Sequence, residues 1–248
     1  MALALVTGAG GGLGAAVARR LAAQGHLVAL NDRPDRPVGE LAAELDGVAA
    51  PADVSDPDAV RDMVEHIERR TGDHIGILVA NAAHTTLAPF AEHDLDDWWR
   101  VVDVSLGGAF ACAQAVLPGM VERGGGRMVL VSSEWGVTGR PDATAHSAAK
   151  AGIIALAKSL GRELAPLGIA VNAIAPSIIG TGLMEVDAAA AGVTSEEIRA
   201  RYAARVPLGR IAAPEEIAAA IAFLADDRLP ALVGQILHVN GGTTRTRA

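Results

Sequence analysis

The chain has 248 residues, a formal net charge of −8, half of its residues apolar and only 3 % aromatic. That acidic balance attracts neither phosphate backbones nor anionic lipid, which argues against nucleic acid and membrane surfaces as partners. Cys112 is the single cysteine, no basic stretch with a cleavage site opens the chain, and no apolar run reaches the roughly 20 residues of a membrane span, so a cytoplasmic protein without an intrachain disulfide is expected.

Strand-like and helix-like segments alternate along the chain. Residues 3–6 form a short apolar run, followed by a glycine-rich turn and a helix over 15–23. Apolar runs at 27–30, 48–50 and 75–80 predict three more strands, and Val60, Val64 and Ile67 share one face of a helix over 57–70. A long helix is expected over 98–121, broken by glycines at 124–126, then a strand over 127–131 that ends at Ser132 and Ser133. A second long helix over 145–164 precedes a strand over 169–174, which stops at Pro176. Residues 182–205 read as a helical excursion from the sheet, 214–224 as a further helix and 235–239 as the last strand. A core of Ala, Val, Leu and Ile suits parallel strands buried on both faces. The alternation predicts one α/β domain, a doubly wound parallel sheet with helices on both faces.

The first turn reads Thr7-Gly8-Ala9-Gly10-Gly11-Gly12-Leu13-Gly14. Glycine there lets the backbone turn sharply and approach a pyrophosphate, and N–H groups of the following helix face the anion. Tight packing also uses glycine; the placement between first strand and first helix is what points to a dinucleotide. Asp32 follows the second strand, where a carboxylate accepts hydrogen bonds from the adenosine ribose hydroxyls. It would repel a 2′-phosphate, which favours NAD over NADP. Arg33 works the other way, and an exposed loop acid is the plain alternative. Asp53 and Val54, after the third strand, can meet the adenine edge, or Asp53 can cap the next helix.

These features together resemble the short-chain dehydrogenase/reductase family over nearly the whole length. The resemblance rests on Thr7-Gly8-(x)3-Gly12-x-Gly14, on Ala80-Asn81-Ala82-Ala83 where the family has N-N-A-G, and on Ser133-(x)2-Gly136. It continues through Val171-Asn172-Ala173-Ile174-Ala175-Pro176, Pro207-Leu208-Gly209-Arg210, Pro214-Glu215-Glu216 and Gly234-Gln235 to Val239-Asn240-Gly241-Gly242. It implies a Rossmann-like sheet of seven parallel strands, a homotetramer, and hydride transfer between a nicotinamide and a small-molecule alcohol or ketone. It also implies cofactor contacts from Thr7, Gly8, Gly12, Leu13, Gly14, Asn81, Lys150, Pro176, Ile179 and Thr181.

The family's catalytic set is Ser, Tyr and Lys, with a supporting Asn. This chain keeps Ser133 and Lys150, but its Y-x-x-x-K motif reads His146-Ser147-Ala148-Ala149-Lys150, and V-N-L-x-G reads Val104-Ser105-Leu106-Gly107-Gly108. Histidine thus stands at the tyrosine position and Ser105 at the asparagine position. A neutral imidazole, with an ordinary pKa of about 6.5 that Lys150 lowers further, is a competent base for an alcohol O–H and a poor proton donor. That tilts the chemistry towards alcohol oxidation. Three readings follow. His146 is the base, with Ser133 on the substrate oxygen and Lys150 on the nicotinamide ribose; or the scaffold runs a changed reaction, such as elimination, isomerisation or cyclisation; or it is a dinucleotide-binding regulatory subunit. Tyr202, the only tyrosine, can supply a phenol or simply pack. His84 faces substrate or solvent, and Glu134 and Trp135 are candidate pocket residues. Trp98 and Trp99 are core or subunit-interface residues. No His/Cys/Asp cluster has metal spacing.

Overall fold

The computed structural model describes residues 1–180 and 183–244. Seven strands, β1 (Leu3–Thr7), β2 (Leu27–Asn31), β3 (Val48–Ala49), β4 (Ile75–Ala80), β5 (Gly126–Val131), β6 (Ile169–Pro176) and β7 (Ile236–Val239), make one sheet. Every pairing is parallel, and the order is β3-β2-β1-β4-β5-β6-β7. The order reverses between β1 and β4, the crevice where such sheets bind ligands at the carboxyl ends of their strands.

Among the described residues ten α-helices connect the strands: α1 (Gly12–Ala23), α2 (Gly39–Glu44), α3 (Pro57–Thr71), α4 (Leu95–Val102), α5 (Gly108–Glu122), α6 (Trp135–Thr138), α7 (Thr144–Leu164), α8 (Leu183–Ala191), α9 (Ser195–Ala203) and α10 (Pro214–Leu224). The sheet is apolar on both faces. Leu3 and Leu5 of β1 join a core with Ile67 of α3, Val116 of α5 and Ile153 of α7. The alternate residues Ala4 and Val6 face the opposite core, with Val17 and Leu21 of α1 and Ile217 and Ile221 of α10. A separate small cluster, Met184, Ala188, Ile198, Tyr202 and Ile211, holds α8 and α9 together.

Two expectations change. The first helix begins at Gly12 rather than at residue 15, because the glycine turn is itself the first helical turn. The long helix expected over 98–121 starts at α4 and is interrupted by a π-helical segment, Asp103–Gly107, before α5. The combined run Leu95–Glu122 is long and apolar enough to cross a membrane by length and composition, with 56 % of its apolar window buried in the protein. A helix tolerates scattered polar residues that interrupt an apolar run read along the sequence. The helical excursion expected over 182–205 is met by two helices, α8 and α9.

Candidate active site

The glycine turn is held from below. Thr7 is buried, and its hydroxyl accepts from the amides of Asn81 and Ala82, each at 3.0 Å. The Asn81 side chain donates to the carbonyls of Thr7, at 2.9 Å, and Gly8, at 3.2 Å. Asn81 therefore ties the carboxyl end of β4 to the turn. Gly8 has φ +65°, which favours glycine, and a Cβ on Gly14 would lie 2.0 Å from the Gly8 carbonyl oxygen. Leu13 points into the core. The N-cap of α1 is Gly11, with no side-chain cap. Its first-turn N–H groups are left for an external acceptor. A cradle this close-packed, with those outward N–H groups, fits the pyrophosphate of a dinucleotide.

Asp32, just past β2, accepts from Gly10 N at 2.9 Å and from Arg33 N at 2.8 Å. Arg33 itself pairs with Asp35 at 3.0 Å. Asp53 does not cap α3; Asp56 does, accepting from Asp58 N and Ala59 N ahead of Pro57. Asp53 instead accepts from Ser55 N and Oγ, at 2.9 and 2.6 Å, and meets Arg100 at 3.3 Å. Burial opposes its charge, but the Ser55 bonds and Arg100 outweigh it and hold the carboxyl below its ordinary range. Val54 packs in the core, where a Cβ on Gly108 would meet it. At the other end, Pro176 closes β6 and accepts from Glu134 N at 2.8 Å, while Ile179 makes a single β-bridge to Ala212. Thr181 lies outside the described residues.

The spacing of four puts His146 and Lys150 on one face of α7, and both are buried. Lys150 Nζ donates to Val131 O at 2.7 Å, and burial pulls its pKa down from 10.5 to about 8. Ser132 Oγ donates to Lys150 O at 2.7 Å, locking α7 to the end of β5. Ser133, next in the chain, accepts from Trp135 N at 3.2 Å, so its O–H remains able to donate. The imidazole of His146 meets the Trp135 indole edge to face, centroids 5.5 Å apart, and its Nδ1 lies 3.2 Å from Thr85 Oγ1. Burial, then the charges of Lys150 and Arg140, push the His146 pKa from 6.5 to about 3. All three effects favour the neutral ring.

Ser105 sits in the π-helical segment and both accepts from His84 N and donates to His84 O, each at 3.2 Å. Its hydroxyl thus staples the loop after β4. Burial lowers the His84 pKa, followed by the charges of Arg100 and Arg33, with Asp97 acting the other way. The Glu134 carboxylate is occupied by the hydroxyls of Thr243, at 2.8 Å, and Thr244, at 2.5 Å. It anchors the chain beyond β7.

Tyr202 donates its hydroxyl to Asp187 of α8, and burial with that bond raises its pKa to about 12. Asp187 is itself buried and pairs with Arg140 at 3.4 Å. The Arg140 guanidinium lies 4.2 Å over the Trp135 ring and 6.0 Å from that of Tyr202. This group links the α8–α9 pair to the start of α7. Sequence reasoning missed Thr85, Arg140 and Asp187, because only the fold brings them to His146, Trp135 and Tyr202. Trp98 and Trp99 stack edge to face on α4, with Trp99 half exposed. Among the described residues no cluster of three or more His, Cys, Asp or Glu could hold a metal ion.

Comparison with known proteins matches this architecture over its length. A family model described as Enoyl-(Acyl carrier protein) reductase matches residues 8–244. The chain is 40 % identical to a cis-4-hydroxycyclohexanecarboxylate dehydrogenase of Sinomonas cyclohexanicum, over 98 % of this chain and 96 % of the relative. It is 39 % identical to the nodulation protein G of Azospirillum brasilense, over 97 % of each. It is 36 % identical to a 3-oxoacyl-[acyl-carrier-protein] reductase of Staphylococcus aureus, over 96 % of each. The relatives are oxidoreductases by name in two of these three cases, and the family model and these identities span nearly the whole chain: the chain belongs to the short-chain dehydrogenase/reductase family, whose members use nicotinamide dinucleotides.

Proposed function

We propose that this chain oxidises a secondary alcohol to a ketone with NAD, and that His146 takes the hydroxyl proton at the position where the family carries tyrosine. The observation that carries the reading is geometric: His146 is buried on α7 one turn before Lys150, with its ring set against Trp135 and its Nδ1 3.2 Å from Thr85 Oγ1. A neutral ring accepts a proton, whereas a phenol must first lose one. Ser133 holds the substrate oxygen with its O–H. Lys150, fixed to Val131 O, holds the nicotinamide ribose. Ser105 fills the supporting asparagine's place but serves the loop at His84 instead.

The cofactor contacts run from the α1 N-terminus through Asp32 to the end of β6. Asp32 favours NAD, since a 2′-phosphate would face its carboxylate, and Arg33 is neutralised by Asp35. When bound, the dinucleotide supplies the hydride acceptor. The helices α8 and α9 cover the substrate, held down by Asp187 and Tyr202 on Arg140. A cyclic hydroxy acid, the class named in one relative, is the first substrate to try.

The test is an alcohol panel that includes cis-4-hydroxycyclohexanecarboxylate, assayed with NAD and with NADP by nicotinamide absorbance. The proposal expects turnover with NAD. Substrate consumption without an absorbance change would establish a non-redox reaction instead, and dinucleotide binding with no turnover would establish a regulatory subunit.

A further inference from the structure

Neutrality at His146 raises a question of proton balance. A ring that will not hold two protons must lose one as it gains one. The imidazole has two nitrogens, and the protein supplies a partner to one of them: Thr85 Oγ1 lies 3.2 Å from Nδ1. The loop carrying Thr85 is not loosely placed. Ser105 grips the backbone of His84 next to it on both sides, and Ala88 N donates to Asp142 O at 2.9 Å, tying the loop to the segment just before α7. Trp135 fixes the ring plane from the opposite element. Three other polar groups of the site are engaged elsewhere: Lys150 Nζ on Val131 O, Ser105 on His84, Arg140 on Asp187.

We propose that Thr85 is the positioning residue of His146 and the outlet for its proton, holding the ring with hydrogen on Nδ1 so that Nε2 is the basic atom turned to the alcohol. The proposal rests on His146 being the base. The bookkeeping of atoms is closed. The alcohol O–H proton goes to Nε2 as the hydride leaves the carbinol carbon for the nicotinamide. The Nδ1 proton passes to Thr85 Oγ1, and the hydroxyl's own proton passes to solvent water. The ring stays neutral throughout and ends as the other tautomer, which exchange with water restores after product leaves. Two cations act on the ring, Lys150 from its own helix and Arg140 from the loop before it, and both oppose the imidazolium that a one-sided transfer would create.

The experiment needs no substrate in its first arm. Nitrogen-15 NMR of the His146 ring at neutral pH reports which nitrogen carries the hydrogen. The expected result is hydrogen on Nδ1 in the wild type and in Thr85→Ser, with a shift towards Nε2 in Thr85→Val. In the second arm, Thr85→Val lowers kcat for the oxidised alcohol by about 10- to 100-fold with KM little changed, while Thr85→Ser stays within about threefold of wild type. Hydrogen on Nε2 in the wild type, or a Thr85→Val protein with wild-type tautomer and kcat, overturns the proposal. Turnover that persists in His146→Phe sinks the underlying base assignment instead, so the two failures are told apart.

Discussion

Lys150 lies one turn beyond His146 on α7, and its charge acts on the imidazole in the same direction as burial, away from the imidazolium. The stability consequence has a definite sign. The folded pKa, about 3, lies below the ordinary 6.5, so the unfolded chain binds more protons between those values. The contribution of this residue is complete above pH 6.5 and is lost as pH falls towards 3, at about 1.4 kcal/mol for each unit. Urea midpoints measured from pH 6.5 down to 4 should therefore fall less steeply in His146→Phe than in the wild type. Equal slopes would place the ring in a more solvated setting. Between pH 5 and 7 the oxidation rate should be level, with a change only as Lys150 loses its proton near 8.

Tyr202 is not free to act as a substitute phenol, because its hydroxyl already donates to the buried Asp187. Tyr202→Phe should leave kcat within about threefold of wild type and cost about 1–2 kcal/mol of stability. Arg140→Ala strands the Asp187 carboxylate and should cost more, about 3 kcal/mol. Thermal or urea unfolding gives the order. A Tyr202→Phe protein that folds but loses turnover would return the phenol to the reaction.

The glycine cradle has no room for a side chain at Gly14, where a Cβ would lie 2.0 Å from Gly8 O and 2.9 Å from Ala9 Cα. Gly14→Ala should destabilise the fold by about 1–3 kcal/mol and abolish measurable dinucleotide binding. Calorimetric titration of the purified variant checks the second effect. Tight binding in that variant would mean the anion does not sit on this turn.

Asp32 should set the choice of dinucleotide. Asp32→Ala is expected to weaken NAD about tenfold, or ~1.4 kcal/mol, and to narrow its advantage over NADP. Titration of both dinucleotides against both proteins measures this. NADP binding the wild type more tightly than NAD would contradict the assignment.

Local chemistry decided which elements could be read from the chain. Strand β4 was placed at its observed limits because residues 75–80 are apolar and bounded by polar ends. The limits of α10 were also met: Pro214 sits at its start, where its missing N–H is harmless. Helices α2 and α6 were missed, since six and four residues are too few to show a helical period. The π-helical segment Asp103–Gly107 around Ser105 was likewise not read, since it is a single turn between two helices of the same apolar character. At the site, His146 and Lys150 were legible through the resemblance of His146-Ser147-Ala148-Ala149-Lys150 to the family's Y-x-x-x-K motif. Thr85, 61 residues from His146, and Arg140, 47 from Asp187, carry no such mark. Only the closing of the loop after β4 and of α8 onto the segment before α7 brings them in.

The most direct test of His146 as the base is the rate of hydride transfer in His146→Phe, followed by nicotinamide absorbance in a single turnover with NAD and an alcohol the wild type oxidises. Loss of the rate by about 10²- to 10⁴-fold, with NAD affinity unchanged, is the predicted result. A rate within a few-fold of the wild type would contradict it.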